Sequence, residues 1–149
     1  PVTGHGMIFM STGFMRAKLL AVRYENTAKP DIAWSYTRGV STQSSPLLVG
    51  DELYFITESG GLLTCLNAHT GEKHWVERIG GNYSASPTYS NGRIYFHSRE
   101  GITTVLQAGR EFKILAKNQL EGQQMASAAV DGNALLLRTD KALYRIEME

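Results

Sequence analysis

The chain has 149 residues and a mass of 16.5 kDa, enough for a single domain to bury its own apolar core without disulfide or metal staples. Fifteen Lys and Arg stand against fourteen Asp and Glu, a net charge of +1, which leaves no electrostatic footprint for a nucleic-acid backbone or an anionic membrane surface. The 42% hydrophobic content argues against disorder, no apolar run reaches the ~20 residues of a membrane-spanning helix, and the lone Cys65 rules out an internal disulfide or a thiolate metal cluster.

The chain opens at Pro1 with neither an initiator Met nor an apolar signal core, so the expectation is a processed product or an excised piece whose targeting information is missing. Its first segment, Pro1 to Met10, reads as a hairpin turning at Gly4-His5-Gly6, and Leu19 to Arg23 as a further strand. A Trp-bearing strand follows at Trp34. The run Ser45-Pro46 to Phe55 recurs as Ser86-Pro87 to Phe96 and again as Ser127-Ala128 to Leu137, each step 41 residues. Trp34 and Trp75 are also 41 apart, so two independent markers share one period. Asp51-Glu52, Asn91-Gly92 and Asp131-Gly132 sit between apolar runs, where such pairs favour tight hairpin turns. Ser86 to Tyr89, Arg93 to His97 and Ile102 to Gln107 then read as successive strands rich in Ile, Val, Tyr, Phe and Thr. Each Trp segment supplies a fourth strand, with Phe112 to Ala116 in its place in the last unit.

The expected fold is therefore all-β. A unit of about 40 residues with four short antiparallel strands has the size of a β-propeller blade. Three full units and part of a fourth predict an incomplete blade at 1–29, blades at 30–70 and 71–110, and a final blade at 111–149. The link from Arg23 to Trp34 carries an insertion around Asn26-Thr27.

The stretch Cys65-Leu-Asn67-Ala-His-Thr70-Gly71-Glu72-Lys73-His-Trp75 resembles the tryptophan-docking signature of PQQ-like, quinoprotein-type β-propeller repeats, Ala-x-Asp-x-x-Thr-Gly-x-x-x-Trp, departing from it at Cys65 and Asn67. That family takes in quinone-dependent dehydrogenases, BamB-like outer-membrane assembly proteins, and propellers fused to bacterial Ser/Thr protein kinases. The resemblance implies that Thr70-Gly71 turns the chain from the outer strand of one blade to the inner strand of the next. It also implies that Trp34 and Trp75 pack between blades as structural docking residues. Family rings close at seven or eight blades, so about three and a half here imply completion by a protein partner or by self-association. Enzyme members hold pyrroloquinoline quinone with calcium, an Asp base and often a vicinal Cys pair. None of these can be placed on this sequence, so no cofactor is expected. The leading reading is a non-catalytic protein-binding or assembly scaffold, periplasmic or otherwise extracytoplasmic as family members often are. The alternatives are a segment of a quinone- and calcium-dependent dehydrogenase, and the sensor region of a bacterial kinase-related protein.

Among chemistry-bearing residues, Cys65 lies in an alternating strand and reads as a small buried side chain. His69 and His74 flank the Thr70-Gly71 turn without a nearby third ligand in sequence and read as exposed turn residues rather than a zinc pair. His5 occupies the turn position equivalent to Gly50, and His97 closes a strand in a structural role. Asn82-Tyr83-Ser84 fits the glycosylation sequon, a short pattern common by chance. The polar connectors Arg38 to Gln43, Gly80 to Tyr83 and Glu121 to Gln124 recur at the same place in each unit and should gather at one mouth of the propeller. Arg38, Gln43, Asn82, Tyr83, Gln123 and Gln124 are the candidate binding rim.

Overall fold

The structure, a computed structural model, describes residues 1–13, 15–25 and 28–147. The Asn26-Thr27 insertion lies outside the described residues. The chain folds into β1 (Val2–Gly4), β2 (Met7–Ser11), β3 (Leu19–Arg23) and β4 (Asp31–Tyr36); β5 (Leu47–Val49), β6 (Glu52–Ile56), β7 (Leu62–Asn67) and β8 (Lys73–Arg78); β9 (Thr88–Ser90), β10 (Arg93–His97), β11 (Ile102–Gln107) and β12 (Ile114–Gln119); and β13 (Ala129–Asp131), β14 (Ala134–Arg138) and β15 (Leu143–Glu147). Each group is one antiparallel meander, so there are three sheets of four strands and, among the described residues, a last sheet of three. No described residue is helical, and no helix is long and apolar enough to cross a membrane.

The backbones of neighbouring sheets come closest at their first strands: β1 meets β5, β5 meets β9, and β9 meets β13. They converge on one axis, with the sheets radiating from it as propeller blades. The Ser of each repeated run links these inner strands. Ser45 N–H donates to the Ser86 hydroxyl at 2.9 Å, and Ser86 N–H to the Ser127 hydroxyl at 2.8 Å.

The middle strands of the second and third sheets are buried on both faces and divide their residues between two cores, as a period of two requires. Leu53 and Phe55 pack with Met7, Phe9, Leu19 and Ala21 between the first and second sheets. Tyr54 and Ile56 face the other way, toward Ile94, Phe96 and Leu106 of the third sheet. Tyr95 and Val105 meet Leu135 and Leu137 in a smaller third core.

Three sequence expectations shift. Dividing the chain at 29/30, 70/71 and 110/111 would sever each fourth strand from its partner, whereas β4, β8 and β12 are hydrogen-bonded to β3, β7 and β11. The first sheet is thus complete and the last is the short one. Thr70-Gly71 accordingly forms a hairpin turn inside the second sheet, between β7 and β8, and does not carry the chain from one blade to the next. The first hairpin turns also settle where glycine supplies positive φ. Val49 pairs with Glu52 around Gly50-Asp51, and Asp131 pairs with Ala134 around Gly132-Asn133, one residue from the expected pairs.

Each fourth strand carries a β-bulge just before the docking position. The register shifts at Ala21/Val22, Cys65/Leu66 and Val105/Leu106 leave Ala33, His74 and Leu115 as the extra residues. A bulge re-aims the next side chain, and here the next residue is Trp34, Trp75 or Ala116. Trp34 reaches the second sheet, where its indole Nε1–H donates to the Ala68 carbonyl at 2.9 Å. Gly71 lies under its ring at φ +74°, and a Cβ there would stand 2.7 Å from Trp34 Cδ2. Trp75 reaches the third sheet and meets Phe112 edge to face, centroids 5.1 Å apart. Its Nε1–H is buried without a partner, and the following turn is held instead by the Tyr54 hydroxyl, which donates to the Gly109 carbonyl at 3.0 Å.

Candidate functional site

The three connectors between blades lie at one end of the sheets, and a carboxylate from the loop between the second and third strands of the following blade pins each one. Glu58 accepts from Gln43 N–H at 2.7 Å, from the Ser41 and Thr42 hydroxyls at 3.0 and 3.1 Å, and from Thr42 N–H. Glu100 accepts from Asn82 N–H at 3.1 Å and from its side-chain amide at 2.6 Å. Asp140 accepts from Gln123 N–H at 2.7 Å. Burial alone would raise the Glu58 carboxyl, but hydrogen bonds from backbone N–H groups, its own and those of Thr42 and Gln43, hold it below the usual carboxylate range. In Glu100 the Asn82 bonds outweigh the same desolvation and take the carboxyl down to about 2. All three residues lie within the short loop between the second and third strands, at intervals of 42 and 40 residues, a recurrence the sequence carries but that the Ser and Trp markers overshadow.

Backbone bonds stitch the connectors across blades. Tyr83 N–H donates to Glu58 O, Arg99 N–H to Asn82 O, Gln124 N–H to Arg99 O, and Asp140 N–H to Gln123 O, all at 2.7 to 3.2 Å. Between side chains, Arg99 Nη2 donates to Gln43 Oε1 at 2.8 Å. The result is a continuous polar face with little freedom left in its backbone.

The structure places four rim candidates on that face, with Arg38, Gln43, Asn82 and Gln123 exposed. The other two belong to the interior. Tyr83 is 2% exposed in the core between the second and third sheets, where burial pushes its hydroxyl up to about 12. Gln124 is 1% exposed, its amide oxygen and nitrogen buried without partners. The residues after Gln43, Asn82 and Gln123, namely Ser44, Tyr83 and Gln124, turn inward and are buried, an orientation that polarity alone does not reveal.

Cys65 is fully buried beneath Trp75, and desolvation pushes its thiol up to about 12. His97 is buried, with Nδ1 3.0 Å from the Thr103 hydroxyl and Nε2 without a partner. His74 is the bulge residue on β8 and stays apart from His69. His69 instead meets His5 and Asp51 at the opposite end of the sheets, a grouping of three turns that no spacing in the sequence announces.

The radiating four-stranded sheets, the 41-residue recurrence and the Trp-to-Gly docking contact define a β-propeller arc built from PQQ-like repeats. The chain belongs to the family described as outer membrane protein assembly factor BamB, whose model matches residues 27–144. No curated protein is significantly similar in sequence. Among solved structures, a europium-containing methanol dehydrogenase superposes with a TM-score of 0.66 at 13% identity, over 81% of this chain and 24% of that one. The computationally designed Ika4 protein superposes with a TM-score of 0.67 at 10% identity, over all of this chain and 96% of that one. These likenesses show the fold. The chain spans about a quarter of the dehydrogenase's length.

The axis-lining strands do not supply, among the described residues, the oxygen donor set of the calcium that accompanies the quinone in the family's enzymes. Calcium takes six to eight oxygen ligands, yet the axis-lining strands β1, β5, β9 and β13 carry a single carboxylate, Asp131. The three loop carboxylates are committed to backbone N–H groups.

Proposed function

We propose that this chain is a non-catalytic propeller arc that serves as a protein-binding and assembly scaffold outside the cytoplasm. The observation that supports it is the stitched loop face, where three carboxylates fix the connectors while Arg38, Gln43, Asn82 and Gln123 stand outward. A preordered polar rim binds a protein surface with little ordering cost. The family description, an assembly factor of the outer membrane, supports both the class of partner and the compartment. The arc is completed as a ring by a second copy, through the uncovered last sheet, whose Leu143 is 72% exposed.

Photo-crosslinking amino acids at Gln43, Asn82 and Gln123 test the rim, with Lys117 on the outer strand β12 as the contrast. Crosslinks to one discrete protein from the three loop positions and none from position 117 support the scaffold reading. No crosslinks, or equal crosslinks from all four positions, overturn it. Light scattering over a concentration series tests ring completion, with about twice the 16.5 kDa chain mass expected. A monomer at every concentration removes the second copy from the proposal.

A further inference from the structure

The end of the sheets opposite the loop face carries a second grouping, made of three turns from two blades. His5 lies in the β1–β2 turn, Asp51 in the β5–β6 turn and His69 in the β7–β8 turn. The two imidazoles and the carboxylate each offer one ligand atom, all within 4.8 Å of one another. His69 Nε2 lies 3.1 Å from Asp51 Oδ1, and His5 Nε2 lies 3.6 Å from the same oxygen. Ligands at 2.0–2.1 Å around a tetrahedral ion stand about 3.3 Å apart, so both separations already match the edges of such a polyhedron. The two rings lie tilted against each other, centroids 4.1 Å apart, with His69 Nε2 turned to the carboxylate and His5 Nε2 to the neighbouring Gly50 carbonyl at 2.9 Å.

Local structure holds these donors in place. Asn67 Oδ1 accepts from the backbone N–H of His69 at 2.9 Å and of Thr70 at 3.1 Å, fixing the turn that presents His69. Ala68 N–H donates to the Asp51 carbonyl at 2.8 Å, tying the two second-blade turns together. His5 keeps a left-handed backbone, φ +54°, where the equivalent position in the next blade is Gly50 at φ +58°. A β-carbon there costs on the order of 1 kcal/mol, and the imidazole it carries reaches Asp51 across the junction. Arg110, the cation nearest Asp51 apart from the histidines, is paired with Glu52 at 3.0 Å and so does not fill the site.

We propose that His5, Asp51 and His69 bind one divalent transition-metal ion of the zinc type, clamping the first blade to the second. Two imidazoles and a carboxylate are borderline donors that suit zinc or its neighbours and not calcium or magnesium. Three protein ligands leave a position for water or an incoming group. The ion takes over the Nε2 atoms that His5 now directs to the Gly50 carbonyl and His69 to Asp51.

The test uses the 149-residue chain stripped with chelator and titrated with zinc sulfate by calorimetry, alongside cobalt(II) absorption. The expected result is one ion per chain, an intense tetrahedral cobalt band, and a melting temperature that rises with zinc. His5→Gly, Asp51→Ala and His69→Ala should each weaken zinc binding at least tenfold and abolish the cobalt band, while His74→Ala should leave both unchanged. Melting curves without metal show that each variant is folded, and His5→Gly is the safest of them because glycine suits that backbone. Absence of saturable one-to-one binding in folded wild-type protein overturns the proposal. So does binding that survives both His5→Gly and Asp51→Ala. Millimolar calcium or magnesium that displaces zinc overturns the ion class.

Discussion

The first junction between blades and the third are built on the same plan and finished differently. At the first, Trp34 spans the gap, bonds the Ala68 carbonyl and rests on Gly71. At the third, the equivalent position is Ala116, and the turn that would receive an indole is absent from the short last sheet among the described residues. What remains is an open cleft of about 580 Å³, bounded by Tyr95, Val105, Leu115, Ala116, Leu135 and Leu137. The same strand pairing supports both junctions, so the difference shows what an aromatic side chain and the turn that receives it together contribute to a blade interface.

Truncating that side chain should give the largest effect. Trp34→Ala removes a half-buried indole and its hydrogen bond, and is expected to cost about 3 kcal/mol, the lower end of the range for buried aromatic truncations. Denaturant unfolding checks it. A loss under about 1 kcal/mol would mean that the first junction is held by its other core residues and that the contrast with the third is one of shape alone.

Acid should act on the other side of the comparison. His97 follows Tyr95 by two residues on β10 and shares its face, toward the last sheet. Desolvation drives its imidazole down to about 4 from an ordinary 6.5. The unfolded chain therefore binds the proton first as pH falls. The stability contributed by the neutral, buried ring is complete above the unfolded value, and is lost progressively between 6.5 and about 4. The loss amounts to about 3 kcal/mol. Unfolding measured from pH 7 to pH 4 should show it in wild-type protein and show it abolished in His97→Gln. An equal slope in the variant would place the acid sensitivity elsewhere.

How far the sequence reaches depends on whether a feature is periodic. Ser45, Ser86 and Ser127 recur at one step because they link successive inner strands, N–H to hydroxyl, and Trp34 and Trp75 recur because each spans a junction, so blade size and strand count were both legible. Blade boundaries were not, because the repeat is most easily cut before Trp whereas hydrogen bonding keeps the Trp strand with the three that precede it. The four exposed rim residues followed from connector polarity. Tyr83 and Gln124 did not, since burial at a junction depends on which way the residue after the exposed one turns. Glu58, Glu100 and Asp140 drift by a residue between units, and His5, Asp51 and His69 meet only once two blades stand side by side.

The smallest effect belongs to the reverse substitution, Ala116→Trp. The bulge at Leu115 still aims position 116 toward the next blade, and the cleft wall there is apolar, so an indole enters without displacing a packed side chain. It buries apolar area against Leu135 and Leu137 yet, among the described residues, finds no counterpart of the Ala68 carbonyl. Burial and an unpaired indole N–H oppose each other, much as they do for Trp75, whose N–H is also unsatisfied. The net gain should be about 1 kcal/mol, read as a small rise in melting temperature with unchanged fluorescence of Trp34 and Trp75. A clear destabilisation would show that the third junction is closed by other means, and that an aromatic at this position works only together with the turn that receives it.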